Sequence, residues 1–254
     1  MIRGLYTSAS GMTAQMILTD VVTNNLANVN TVGFKKDIAV SKEFREMLIY
    51  RINDPSARNI TFENTAVPVG MLGTGTMVDG IYTAHARGDL RNTGNPLDVA
   101  ITGTGFFAID TKNGIRYTRN GSFSLSSNKE LVTVSGDQVL GQKGPIRLDG
   151  KTVKIDDNGG VYSDGALVDN LRIPTFADLN VLEKEGAYFR TSRPEQEIIG
   201  PVQVQQGFLE GANVNTISEM VNLINVYRTY EANQKMVQTQ DDTLDKAVNN
   251  IASL

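Results

Sequence analysis

The chain has 254 residues, 40% of them hydrophobic, enough to bury a core in one large domain or two smaller ones. Its net charge of −4 gives no electrostatic footprint for nucleic acid or an anionic membrane surface, so neither is expected as a partner. The absence of cysteine rules out a disulfide, a thiolate nucleophile and a cysteine metal site, and a single histidine, His85, removes histidine-rich metal sites.

The first twenty residues, MIRGLYTSASGMTAQMILTD, carry Arg3 but no continuous apolar stretch. Ser, Thr and Gln interrupt it throughout, which predicts export, if any, without a cleaved secretory signal. No apolar run approaches the roughly 20 residues that a membrane-spanning helix needs, so no membrane insertion is expected. Within this segment Leu5, Met12 and Leu26 fall in one seven-residue series, with Thr19 as the exception. Ala9, Met16, Val22 and Val29 widen the stripe on the same side, predicting an amphipathic helix to about residue 30.

That helix should end in NNLANVNTVGFKK, residues 24–36, where Asn24, Asn25, Asn28 and Asn30 crowd into seven positions. Asparagine amides donate and accept at once and can bond to a second backbone. Asn30 and Thr31 compete with the helix for its own backbone groups. Gly33 can take the left-handed conformation that closes a helix, and Phe34 offers an apolar anchor beyond it. The segment reads as a joint between a helix and a folded body.

Residues 37–95 are less decided. EFREMLIYRI (43–52) admits a short helix, and the chain through GMLGTGTMVDG reads as extended. From 96 to 200 the pattern is strand and turn: LDVAITGTGFFAID, IRYTRNGSFSL, KELVTVSG and QVLGQKGPIRL. Asn113-Gly114 and Asn120-Gly121 are hairpin signals of the type that places both turn residues at positive φ. At the far end Leu223, Tyr230, Val237, Leu244 and Ile251 repeat every seven residues. Their companions are Val226, Asn233, Gln240, Ala247 and Leu254, a coiled-coil-like seam with a polar middle. Thr216 or Ser218 can cap this helix, with Glu219 closing a capping box on Thr216.

The expected architecture is therefore α+β: long N- and C-terminal helices pairing in a coiled-coil-like arrangement, a central all-β domain and an extended arm. The divisions are an N-terminal helix (1–35), arm and linker (36–95), β domain (96–200), return linker (201–215) and C-terminal helix (216–254).

No catalytic constellation emerges. GTGFFA (103–108) matches a dinucleotide fingerprint, but that motif needs a helix to begin there, and Phe106 to Ile109 continue as a strand. IDDNGG (155–160) lacks the spacing and closing Glu of a calcium loop and reads as a hairpin turn. His85 has no partner that sequence singles out and reads as a surface or turn residue. Glu183/Glu185 and Asp241/Asp242 would serve a glycosidase only if folding set them across a cleft. No cofactor or metal is expected, and an enzyme is not.

MIRGLYTSASGM, NNLANVNTVGFKK, GNPLDVAITGTGFFAI, YTRNGSF and VNLINVYRTYEANQKMVQTQDDTLDKAVN together resemble the bacterial flagellar rod and hook proteins. GMLGTGTMV is similar to the distal rod member and VLGQKGPIRLDGKTVKI to a proximal one, so the two stay open. The resemblance implies a structural subunit of the basal-body rod, sent through the flagellar export apparatus and polymerised into a helical tube. That tube spans the periplasm and passes torque to the hook. Its partners would be further copies of the chain and other rod and hook proteins. Carried onto this sequence, Leu5, Met12 and Leu26 would pack against Leu223, Tyr230, Val237, Leu244 and Ile251. Asn24, Asn25, Asn28, Gly33 and Phe34 would form the joint to the next layer. Both ends would then be largely disordered in the free monomer and fold on assembly. Two other functions fit the residues. One is a secreted β-domain module that binds cell-wall glycan, with dimerising helical ends. The other is a cell-wall hydrolase with its acids among Asp110, Asp156, Asp157 and Asp164.

Overall fold

The computed structural model describes residues 2–44, 46–51, 67–150, 152–191, 197–199 and 203–252. It is α+β: one helix near each end, with short strands between them. The chain divides into two compact units. One comprises Met1–Asn24, Asp37–Tyr82 and Ile217–Leu254, and the other Asn25–Lys36 and Thr83–Thr216.

The first unit holds most of helix α1 (Ile2–Ala27) and of helix α2 (Thr216–Ala252). At 37 residues α2 is about three times the mean helix length. No glycine or proline interrupts it, and Glu219 sits in its first turn, where a carboxylate favours the positive end of the helix dipole. Two strand pairs complete the unit, Asp37–Glu43 with Thr76–Thr83 and Met47–Arg51 with Val67–Leu72. The sequence EFREMLIYRI therefore does not form a helix over its described residues. Met47–Arg51 pairs antiparallel with Val67–Leu72, because a partner of matching β-rich composition outweighs weak helix propensity. Ser10 ties this strand region to α1: its hydroxyl accepts from the Thr76 amide, while Thr7 donates to the carbonyl of Thr74.

The second unit is the β body. Its main sheet has seven antiparallel strands in the spatial order 182–185, 188–191, 114–118, 107–111, 138–139, 131–133 and 123–125. A three-stranded meander (153–155, 160–163, 166–170) and three strand pairs surround it. Alternation along the segment beginning at Phe106 fills two cores at once. Phe107 packs with Val99, Phe123, Leu131 and Ile173, while Phe106 and Ala108 pack with Tyr117, Phe176 and Phe189. GTGFFA thus leads into a strand, as its apolar run suggested, and IDDNGG turns the hairpin between 153–155 and 160–163.

The two Asn-Gly signals resolve differently. Strands 107–111 and 114–118 form a hairpin, but only Gly114 has positive φ (95°), so the turn is not the doubly left-handed type. Asn120-Gly121 is no hairpin, since 114–118 and 123–125 are not neighbours in the sheet. Glycine is required there because a Cβ would stand 1.7 Å from the carbonyl oxygen of Val99.

Candidate functional site

Three separate stretches of the second unit, 33–36, 84–88 and 210–213, meet around one buried carboxylate. The Glu210 and Lys35 side chains are fully buried and lie 2.6 Å apart. Glu210 Oε1 also accepts from the Gly88 amide at 2.9 Å, and Oε2 from Arg119 Nη1 at 3.3 Å. Lys35 Nζ spends a second proton on the carbonyl of Ala86 at 2.8 Å. A buried carboxylate is tolerable only when its lone pairs are taken up, and here three donors share them. Burial pushes the Lys35 ammonium below its ordinary range, with the Glu210 carboxylate pulling the other way.

Backbone contacts reinforce the node. The Gly33 amide donates to the carbonyl of Glu210 at 2.7 Å, with Gly33 at φ 70°. A side chain there is excluded twice, by that left-handed φ and by the Asn120 amide nitrogen 2.4 Å from where a Cβ would sit. Asn213 works on both sides. Its Oδ1 accepts from the Lys36 amide, and its Nδ2 donates to the carbonyls of Ala84 and Ala86. Lys184 donates to the carbonyl of Lys35, its ammonium 3.9 Å from the centre of the Phe34 ring, a cation–π contact.

The asparagine-rich stretch prepares this exit. The Thr31 amide donates to the carbonyl of Asn28, and Thr31 Oγ1 to Asn28 Oδ1. Asn25 is buried, Leu26, Asn28 and Phe34 are half-buried, and Asn24 is exposed. The helix stops at Ala27, short of the expected residue 30, so Gly33 does not close it; its left-handed φ serves the contact with Glu210 instead. Lys35, Glu210, Arg119 and Asn213 were not legible, because nothing in a sequence pairs a lysine with a carboxylate 175 residues away. The one available signal was the lysine pair following Gly33-Phe34.

In the first unit, α2 has a seven-residue pattern of cover. Leu223, Val226, Tyr230, Asn233, Val237, Gln240, Leu244 and Ala247 are half-buried, and the described side chains between them are exposed. Ile251 lies in the last turn with its side chain outside the described residues, as is Leu254 altogether. On α1 the buried positions are Ser8, Gly11, Ala14, Val21, Val22 and Asn25, with Leu5 and Met12 half-buried beside them and Ala9 and Met16 exposed. Small residues therefore face inward. A Cβ at Gly4 would stand 2.5 Å from Gln240 Nε2, and one at Gly11 2.9 Å from Asn233 Nδ2. The polar members of the α2 seam thus sit over glycines seven residues apart on α1. Ile217, Met220, Val221, Ile224 and Tyr227 leave an apolar surface on the open side of α2.

The remaining candidates have structural partners or open surroundings. His85 is half-buried rather than superficial, its ring 5.7 Å from Phe106 and 5.4 Å from Phe189. Glu183 pairs with Arg190 and Glu185 with Arg116. Asp241 and Asp242 are exposed on α2. Asp110, Asp157 and Asp164 are exposed and Asp156 half-buried, on different strands and turns. Among the described residues no cluster of three or more acidic or histidine side chains could hold a metal ion.

Residues 5–35 match the family model described as flagella basal body rod protein, 100–163 the flagellar hook protein FlgE/F/G D1 domain, and 205–251 the flagellar basal body rod FlgEFG protein C-terminal model. The flagellar basal-body rod protein FlgG of Borreliella burgdorferi is 37% identical, with 98% of both chains covered. FlgG of Bacillus subtilis is 35% identical, covering 98% of this chain and 99% of its own. The flagellar basal-body rod protein FlgF of Mesorhizobium japonicum is 30% identical, with 98% of both covered.

Proposed function

The chain belongs to the flagellar basal-body rod protein family, of the FlgF/FlgG type, and from that premise we propose that it polymerises helically into a shaft crossing the periplasm. It is a structural subunit of the rod. The family is not one of enzymes, and these relatives lend no support to a cell-wall-binding module. In the proposed shaft, α1 and α2 pair through the seam of Leu223, Tyr230, Val237, Leu244 and Ile251, with Leu5, Met12 and Leu26 alongside. Asn24, Asn25, Asn28, Gly33 and Phe34 hold the body at a fixed angle to the next layer. The subunit reaches the rod through the flagellar export apparatus and joins other rod and hook proteins there.

The observation that carries this reading is the exposed apolar face of α2, on a helix covered along one narrow seam only. A monomer leaves such a face exposed only where partners cover it later, and a head-to-tail contact that does not close gives an open filament. Disordered ends in the free chain would delay that contact until delivery. The test is Val221→Asp with Ile224→Asp in cells whose own copy of the gene is deleted. Export should continue, while isolated basal bodies lack a complete rod and the cells do not swim. Normal rods and swimming would overturn the proposal. Limited proteolysis of dilute monomer tests the delayed ordering: both ends should be lost while the β body survives, and an end-to-end resistant chain would refute it.

A further inference from the structure

A groove of about 280 Å³ lies on the helical unit, lined by Met16, Thr19 and Asp20 of α1 and by Tyr227 and Tyr230 of α2. On each helix these residues stand three or four apart, so they share one face. Met16 and Tyr227 are each 57% exposed and Asp20 is exposed as well, so the groove is open to an incoming side chain. The Thr19 hydroxyl is already spent on the carbonyl of Gln15 at 2.8 Å. Asp20 is the single charged residue of the lining, and among the described residues it has no ion-pair or hydrogen-bond partner.

A carboxylate set beside a thioether and two phenol rings selects the sign of its partner. The anion attracts a cation, and the faces of the tyrosine rings attract one too. Arginine suits such a place better than lysine, because its planar guanidinium stacks on a ring and gives a carboxylate two N–H groups at once. The one arginine of α2 is Arg228, exposed and, like Asp20, without a partner among the described residues. Glu231, one turn along, is an exposed acid on the same helix, and such surface pairs contribute little. Arg228 precedes the half-buried Tyr230 by two positions, about 200° around the helix, so it stands on the side of α2 opposite the seam. Within one chain, cation and groove therefore lie on different sides of the helical pair. We propose that the groove receives Arg228 of a second copy, its guanidinium on Asp20 and its stem against Met16 and Tyr227. Socket and plug on different sides of one unit repeat from copy to copy without closing, which is what an open filament needs. Val221 lies seven residues before Arg228 in the same row, so this docking carries the apolar face of α2 toward the neighbour. The assignment rests on the proposed polymerisation and names one contact within it.

The test is a charge swap in cells whose own copy of the gene is deleted. Asp20→Arg and Arg228→Asp should each lower the number of complete rods at least about tenfold, through the like charges they bring together. The chain carrying both changes should restore rods and swimming. Single changes without effect, or a double variant as defective as the singles, would overturn the proposal. So would loss with Asp20→Arg alone, which assigns the cation to another rod protein. A second measurement uses the absence of cysteine from the chain. Asp20→Cys with Arg228→Cys is expressed beside the wild-type chain, so that rods form, and the isolated basal bodies are treated with a short bismaleimide. Cross-linked products of three or more copies are expected, and products that end at the monomer or the dimer would overturn the contact. Failure here is distinct from failure of the rod reading. Val221→Asp with Ile224→Asp removes rods if that reading holds, whatever Asp20 and Arg228 do.

Discussion

The β body and the terminal helices handle the same problem, covering apolar surface, in opposite ways. In the body a single run, Phe106 to Ile109, is buried on both faces, and the Glu210 carboxylate at its edge has a donor for each oxygen. Among the described side chains of α2 the cover follows one seam, and Ile217 remains 75% exposed and Tyr227 57%. The body's core is thus closed within one chain, with single apolar side chains such as Val134 (77% exposed) left outside it, whereas α2 carries a continuous apolar face that the proposed shaft would cover. Stability and assembly are in this way assigned to different residues, and mutations should separate them.

The sharpest cut falls on Glu210. Glu210→Ala strands two buried cations and should lower the unfolding free energy of the body by about 3–5 kcal/mol, read from urea denaturation. Lys35→Met combined with Glu210→Leu should recover only part of that loss, since Arg119 stays buried without its carboxylate, and adding Arg119→Met should recover more, because apolar replacement of a whole group is far cheaper than breaking it. Next in size, Gly33→Ala forces a Cβ onto the backbone at Asn120 and demands a left-handed alanine. A loss of at least about 2 kcal/mol is expected, in the same transition as Glu210→Ala. A loss near zero would mean that the Gly33–Glu210 contact is not part of the body.

On the other side of the comparison, Gly11→Leu drives a large side chain at Asn233 and should cost the helical unit about 1–3 kcal/mol by overpacking. Circular dichroism should record the loss of helix while the body's midpoint stays fixed. If both transitions move together, the division of labour is wrong. The smallest effect concerns Tyr188, whose hydroxyl donates to Asp137 Oδ2 at 2.7 Å. Burial, with the Asp137 carboxylate beside it, holds its phenol above the ordinary value of 10.0. The folded chain then keeps a proton that the unfolded chain releases, so stability is intact below pH 10 and declines as pH rises beyond it. Tyr188→Phe should flatten that alkaline decline by a few tenths of a kcal/mol at most, given how exposed the group is.

The two regions were also unequally legible. The α2 seam could be read directly, because a heptad is a local pattern and the half-buried positions recur at its spacing. On α1 the apolar stripe through Leu5 and Met12 drew attention away from Gly4, Ser8 and Gly11, whose smallness lets a neighbouring helix approach. Hydrophobicity marks a face that attracts, while closeness depends on what is missing from it. In the body, strands and turns were visible from Gly and Asn spacing, yet the sheet order was not, and Asn120-Gly121 misled for that reason. The Lys35–Glu210–Arg119 group lay beyond any local pattern, since long-range electrostatics writes nothing periodic into a chain.

The meeting of 33–36, 84–88 and 210–213 has a consequence for how such a molecule can vary in size. The Ala84 amide returns to the carbonyl of Lys36, and the Glu210 carbonyl receives the Gly33 amide. Residues 37–83 and 89–209 are therefore two excursions that leave from one crossroads and come back to it. Lengthening either loop adds little closure entropy and leaves the short route between α1 and α2 at its original length. Additions within 37–83 or 89–209 would leave the contacts at that crossroads, and the short route across it, unchanged.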